Sequence, residues 1–283
     1  MAPLRFVFGS DLHGMREQYE ILFEHARKTQ VRWLFLGGDL HPDGSVEVQV
    51  KFARTVLMPL MEKKLKPAGI RVAAIFGNHE FEPVEEAWRQ RSDVADLVHL
   101  KSLSLDETWS VAGCPYTPFT PWYVKDYERW DLGPEGETSP QSAYGTQYRL
   151  RTIEGVTGPF DWRQTPATDT VAARMARLGE STDPDRTVYL LHAPPADTPL
   201  DIMHGGRHVG SRAIAEFCKN KEPYLALHGH IHECVELSGQ WSVRWGVGMS
   251  ASSGNDPRPD EVAVVEGDLA DRDTIQRIVV RRK

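Results

Sequence analysis

Cysteine is scarce in this 283-residue chain: there are three, Cys114, Cys218 and Cys234, far apart and in no C-x-x-C pair. An odd, scattered set excludes a disulfide framework and offers no zinc knuckle. Long apolar runs are missing as well. The longest, such as Val72-Ala73-Ala74-Ile75-Phe76, fall far short of the ~20 residues a membrane helix requires. The first residues, Met1-Ala2-Pro3-Leu4-Arg5, carry neither the basic region nor the apolar core of a signal peptide, so a soluble, cytoplasmic protein is the expectation. Positive charge is not in excess either: 33 Lys and Arg against 40 Asp and Glu leave a net charge of −7. That sign repels a phosphate backbone unless a local patch or a bound cation reverses it, which argues against a dedicated nucleic-acid binder. No fixed-period repeat and no low-complexity tract is present, which excludes a solenoid and a disordered linker.

What is present is an alternation of short apolar runs with helical periodicity, the pattern of strands joined by crossover helices. Residues 4–8, 31–36 and 71–76 read as strands. Tyr19, Leu22, Phe23 and Ala26 mark a first helix, residues 46–61 a longer one that Pro59 should kink or divide, and residues 83–93 a third opened by proline. Further strands are expected at 97–99, 108–113, 187–191, 224–227, 233–237, 241–245, 261–265 and 274–280, with helices near Val171–Leu178 and 211–219. Residues 114–166 differ in texture, holding 10 of the 26 aromatic residues in 53 positions. A disordered linker would be poor in aromatics, so this segment reads as an ordered insertion, either a surface excursion with its own core or a cover over a site. The expected organisation is one α/β domain over residues 1–283 with that insertion; the oligomeric state is left open.

Five of the apolar runs end in Asp, His or Asn. Residues 5–10 lead to Asp11-Leu12-His13, residues 33–38 to Asp39, and residues 72–77 to Asn78-His79-Glu80. Thr187 to Leu191 leads to His192, and Tyr224 to Leu227 to His228-Gly229-His230-Ile231-His232. Ligands of α/β proteins bind at the carboxyl ends of strands, where five such ends can converge. Six of the 11 histidines fall at these positions. Carboxylate, imidazole and amide oxygen together suit borderline or moderately hard divalent ions, namely manganese, iron, zinc, cobalt or magnesium. The seven candidates Asp11, His13, Asp39, Asn78, His192, His230 and His232 are too many for one four-coordinate ion and suit two ions sharing a bridging carboxylate.

Asp11-x-His13, Gly38-Asp39, Gly77-Asn78-His79-Glu80, His192 and Gly229-His230-x-His232, taken in this order, resemble the calcineurin-like metallophosphoesterase superfamily over about residues 4–250. The stretches His192-Ala193-Pro194-Pro195, Thr117-Pro118-Phe119 and His208-Val209-Gly210-Ser211 look like small prokaryotic phosphoesterases of that superfamily. The resemblance implies a four-layer α/β/β/α sandwich of two mixed sheets with a dimetal centre at the strand ends. It implies one metal on Asp11, His13, Asp39 and His232, and a second on Asp39, Asn78, His192 and His230, with Asp39 bridging and manganese the first choice of ion. His79 matches the catalytic histidine. The implied reaction is hydrolysis of a small phosphomonoester or phosphodiester by a hydroxide held between the metals, with His79 assisting the leaving group. An imidazole in that role contributes about 10²–10⁴-fold.

His41, His204 and His208 are candidate substrate-phosphate contacts, with solvated loop residues as the competing reading. Trp122, Tyr123, Tyr127 and Trp130 read first as packing within the insertion, and His228 as support for a ligand. Where Ser/Thr protein phosphatases of the superfamily carry arginines, this chain has His41-Pro42-Asp43-Gly44 and Phe76, which disfavours protein substrates. A nuclease or cyclic-nucleotide phosphodiesterase on the same residues, and a non-catalytic metal-binding scaffold, are the alternative readings.

Overall fold

In the computed structural model, which describes residues 3–135 and 149–282, the apolar runs pair into two six-stranded sheets. The first is ordered Asp271–Arg281, Glu261–Asp268, Arg5–Gly9, Trp33–Gly37, Arg71–Ile75, Asp96–Leu97. Its last four strands run parallel, and its first two form an antiparallel hairpin along Arg5–Gly9. The second sheet is ordered Ser242–Trp245, Gly248–Ser252, Leu225–His228, Thr187–Leu191, Ser110–Cys114, Ser102–Ser104, parallel in the middle and antiparallel at both edges. Parallel strands covered on both faces need apolar side chains of both parities, which explains why Trp33–Gly37 and Thr187–Leu191 are buried throughout.

Strand parity sets the layers. Val7, Leu34, Leu36, Val72 and Ala74 face the helices Arg16–Lys28, Met58–Lys64 and Val84–Arg89 through Tyr19, Leu22, Met61 and Trp88. The alternate residues Phe6, Phe8, Trp33, Phe35 and Ile75 meet Val111, Val188, Leu190, Leu225 and Leu227 of the second sheet. Beyond that sheet, Tyr189, Leu191 and Ala226 pack on Val171, Met175, Ile214 and Phe217 of the helices Val171–Glu180 and Arg212–Lys221. Three apolar clusters thus separate four layers, α/β/β/α, as expected. Fully burying a side chain of this kind is worth about 1.5–3 kcal/mol.

Two local expectations meet the structure differently. Pro59 does divide its helix: Val46–Phe52 and Met58–Lys64 are joined by a wide π-type turn, Ala53–Leu57, which accommodates the missing N–H. Residues 233–237, expected as a strand, instead form the short helix Cys234–Ser238, closed by Gly239 at φ 70°. Of that helix only Cys234 is buried, against Ser252 of the second sheet, while Leu237 is exposed. The three cysteines are buried and unpaired. Among the described residues no helix is long and apolar enough to cross a membrane.

Within the insertion, Phe119, Trp130 and Trp162 form a mutual cluster with ring centroids 5.0–5.4 Å apart. Arg151 ties the strand Leu150–Ile153 to the carbonyls of Lys125 and Glu128. Residues 136–148, with Tyr144 and Tyr148, lie outside the described residues. The described part has a core of its own and also reaches the main body: the Asp126 carboxylate accepts the Glu82 N–H at 2.7 Å.

Candidate metal centre

The carboxyl ends of Arg5–Gly9, Trp33–Gly37 and Arg71–Ile75 from one sheet, and of Thr187–Leu191 and Leu225–His228 from the other, open on one spot. Ligand atoms of Asp11, His13, Asp39 and His232 lie within 4.8 Å of one another, as do those of Asp39, His192 and His230. Asp39 is common to both groups, with Oδ1 3.3 Å from His192 Nε2 and Oδ2 4.0 Å from His13 Nε2. Asn78 joins the second group through Oδ1, 3.3 Å from His192 Nε2. All seven sequence candidates are therefore brought together at this spot, with Asp39 common to both groups.

Local backbone strain aims them. Asp11, His13, Asp39 and His230 all have positive φ, between 43° and 71°, a region that costs a non-glycine residue about 1–3 kcal/mol and persists only where surrounding contacts enforce it. Those contacts are visible. The Asp11 and His13 N–H groups donate to the Gly38 and Asp39 carbonyls, and the His230 N–H donates to Asp11 Oδ1 at 2.9 Å. Buried Asn255 donates to the Ser10 and Asp11 carbonyls. Gly77 is required by proximity, since a Cβ there would overlap Asp39 Oδ1 and the His192 ring.

Glu80 is the keystone that the sequence reading passed over. Its carboxylate is fully buried and accepts the N–H groups of Asp39, Leu40, His41 and Gly77 at 2.6–3.1 Å, locking the two motif loops together. His41 belongs to the same lock and is not a substrate contact. It is wholly buried, its Nδ1 3.1 Å from Glu80 Oε1 and its Nε2 accepting from the Trp88 indole N–H at 3.1 Å. Phe52, Phe76 and Trp88 surround its ring, so no ligand can reach it. His208 is turned onto buried Asp201 at 2.6 Å, bracing the loop it sits on, while His204 is exposed with its N–H on Glu233 beside His232. His228 is buried against the Leu191 and Ala193 carbonyls and Ser250.

His79 is partly exposed at the rim of the site. Its Nδ1 lies 2.9 Å from Asp43 Oδ1, so Nε2, 3.8 Å from Asp39 Oδ2, is the nitrogen turned toward the metal-ligand cluster. Asp43, four residues after Asp39, was not singled out from the sequence. The Trp122 indole of the insertion lies on the other side of the ring at a centroid distance of 3.9 Å.

Electrostatics follow from the crowding. Burial would raise the Asp39 carboxyl, but the imidazoles of His79, His192 and His13 outweigh it and hold it well below the usual carboxylate range. Burial pulls His230 down to about 3, with His192 adding to the effect, and lowers His13. Against burial, the Asp39 carboxylate carries His192 up to about 9. Burial also opposes the charged form of His79, yet Asp39 and Asp43 raise it.

This donor set fits two divalent cations. His13 Nε2 and His232 Nε2 lie 3.1 Å apart with two carboxylates alongside, close enough for both nitrogens to turn to one cation. His192 Nδ1 lies 2.8 Å from the Gly37 carbonyl, which takes the ring proton there and leaves Nε2 as the ligand atom. With thiolate absent and carboxylate, imidazole and amide oxygen present, the donors match borderline to hard ions.

Comparison with known proteins agrees with this geometry. A family model described as calcineurin-like phosphoesterase matches residues 4–234. Among solved structures, TT1561 of Thermus thermophilus superposes with a TM-score of 0.58 at 18% identity, covering 99% of each chain. A dimetal phosphatase from Danio rerio superposes at 0.50 and 12% identity, covering 99% of this chain and 100% of that one. At such identities the likeness is one of fold. No curated protein matches the sequence. Because the family match runs through all five strand-end motifs and those motifs meet at one centre, the chain belongs to the calcineurin-like phosphoesterase family and is a phosphate-ester hydrolase.

Proposed function

We propose that the protein hydrolyses a small phosphomonoester or phosphodiester, using two divalent cations, manganese foremost, held by Asp11, His13, Asp39 and His232 and by Asp39, Asn78, His192 and His230. The observation that carries this reading is the meeting of two complete ligand sets on a shared Asp39 with a His79–Asp43 pair at their rim. When bound, such a cation pair supplies the charge that activates water and neutralises phosphoryl oxygens during in-line displacement.

The chain's own groups do the rest. Asp43 accepts the Nδ1 proton of His79, orients the ring and supports its protonated form, so that Nε2 can deliver a proton to the departing oxygen. No serine, cysteine or aspartate nucleophile is needed. Exposed His204, on the loop beside His232, is a candidate contact for the remainder of the substrate, and His208 acts through that loop's shape.

The deciding experiment is a panel of phosphomonoesters, phosphodiesters and cyclic nucleotides assayed with Mn, Mg, Fe, Co and Zn added to metal-stripped protein. Metal-dependent turnover of one ester class is the expected result. Protein that binds no metal and hydrolyses no aryl phosphate overturns the reading and leaves a scaffold role. Cleavage of DNA or RNA in preference to small esters would make the protein a nuclease.

A further inference from the structure

Asn78 lies on the rim of the first sheet, yet one of its contacts comes from the insertion: Nδ2 donates to Glu128 Oε1 at 3.4 Å. Glu128 and Lys125 are both fully buried and paired at 2.6 Å. Glu128 Oε2 also accepts the Thr120 N–H at 2.9 Å, and Oε1, the oxygen facing Asn78, accepts the Thr120 hydroxyl at 2.5 Å. The Lys125 ammonium gathers the carbonyls of Thr120, Trp122 and Val124. A buried ion pair thus organises the loop at residues 120–128, and one carboxylate oxygen of it is turned outward, onto Asn78.

We propose that Glu128 is a positioning residue for the second cation: by accepting the Asn78 Nδ2–H it fixes the carboxamide with Oδ1 toward His192 and Asp39. The inference rests on the dimetal reading above.

The two ends of a carboxamide are nearly identical in shape and opposite in chemistry. Only the oxygen can ligate a cation, while the NH₂ presented to one is repelled. Packing alone distinguishes the two orientations poorly. An ionised carboxylate is an acceptor only, so Glu128 can bond the nitrogen and not the oxygen, and the wrong orientation is removed before a cation arrives. Lys125 is needed because a carboxylate buried without a partner would be strongly disfavoured. Asn78 Oδ1 lies 3.3 Å from His192 Nε2, as this orientation requires.

The test is titration of metal-stripped full-length protein with Mn²⁺, read by calorimetry, with thermal unfolding of each metal-free variant alongside. Lys125→Met combined with Glu128→Leu removes both charges while retaining bulk. In the native background this pair should weaken one of two Mn²⁺ binding events, the one that depends on Asn78, by about 10-fold or more, leaving the other unchanged. In an Asn78→Asp background the ligand has two equivalent oxygens and nothing to orient, so the same pair should leave Mn²⁺ affinity unchanged or tighten it. Equal weakening in both backgrounds overturns the proposal, because the loop would then act only through the fold. No weakening in the native background overturns it also. If the double variant does not fold, Glu128→Gln serves instead: it can donate to Asn78 Oδ1 and should weaken the Asn78-dependent event several-fold, with no change counting against the proposal. Native protein binding fewer than two Mn²⁺ overturns the dimetal reading itself, which separates the two failures.

Discussion

The indole of Trp122 lies flat on the imidazole of His79, with ring centroids 3.9 Å apart and planes at 16°. One ring belongs to a motif loop of the first sheet and the other to the insertion, so the insertion restrains the residue proposed to assist the leaving group. The stack leaves His79 free to rotate only by breaking it. Trp122→Ala should therefore lower kcat about 2- to 10-fold, the range an aromatic pair of this kind is worth, with Mn²⁺ binding intact. Trp122→Phe, which gives up only an indole N–H that is buried without a partner, should retain most activity. Loss of metal from Trp122→Ala would assign the stack to the ligand scaffold instead.

His79→Ala is expected to cut kcat by about 10²–10⁴-fold while both cations stay bound. Asp43→Asn should be milder and carry a sign. The Asp43 carboxylate favours the protonated ring, so without it the His79 pKa falls and the alkaline limb of the pH–rate profile moves to lower pH. A profile that keeps its alkaline limb in place would dissociate Asp43 from the proton transfer.

Asp39→Asn removes the charge common to both ligand groups. Metal analysis after gel filtration should find binding weakened beyond the about 10–100-fold typical of outer contacts, with activity lost in step. Retention of two tightly held cations would show that Asp39 does not bridge.

His41→Ala separates the substrate role from the structural one. Glu80 would lose its side-chain partner and the Trp88 indole N–H its acceptor, at a cost of about 2–4 kcal/mol by urea unfolding, with KM for an aryl phosphate unchanged. The native pair also carries a pH dependence. Burial would raise the Glu80 carboxyl, but hydrogen bonds from His41 and the Gly77 N–H bring it below its ordinary value. Its stabilisation is therefore fully present above about pH 5 and is lost as pH falls through the native value. A raised KM at unaltered stability would return His41 to the substrate.

Gly77→Ala places a methyl group against Asp39 and His192. Metal content and activity should both fall although the site on the surface is hardly altered in composition; unchanged Mn²⁺ affinity would mean that the motif loop can yield.

The central strands were legible because they are parallel and covered on both faces, which forces continuous apolar runs such as Leu34-Phe35-Leu36 and Val188-Tyr189-Leu190-Leu191. The candidate ligands were legible because they cluster where such runs end. Residues 233–237 misled because a few apolar side chains at alternate places look the same whether they meet a sheet or begin a short helix. His41 misled because it is two residues from Asp39, and sequence distance does not say that Trp88 and Glu80 enclose it. Glu80 stood inside a quoted motif, but its four N–H donors come from two loops that are remote in the chain.

By itself, then, the sequence determined the central strands and the polar residues gathered at their carboxyl ends, since these depend on local order: apolar run, tight turn, polar side chain. Tertiary structure alone decided that Asp43 pairs with His79, that Glu80 and His41 lock two loops, and that Trp122 and Glu128 reach the site from the insertion. Each of those contacts joins side chains across loops whose approach is set by sheet packing, and no spacing along the chain encodes it.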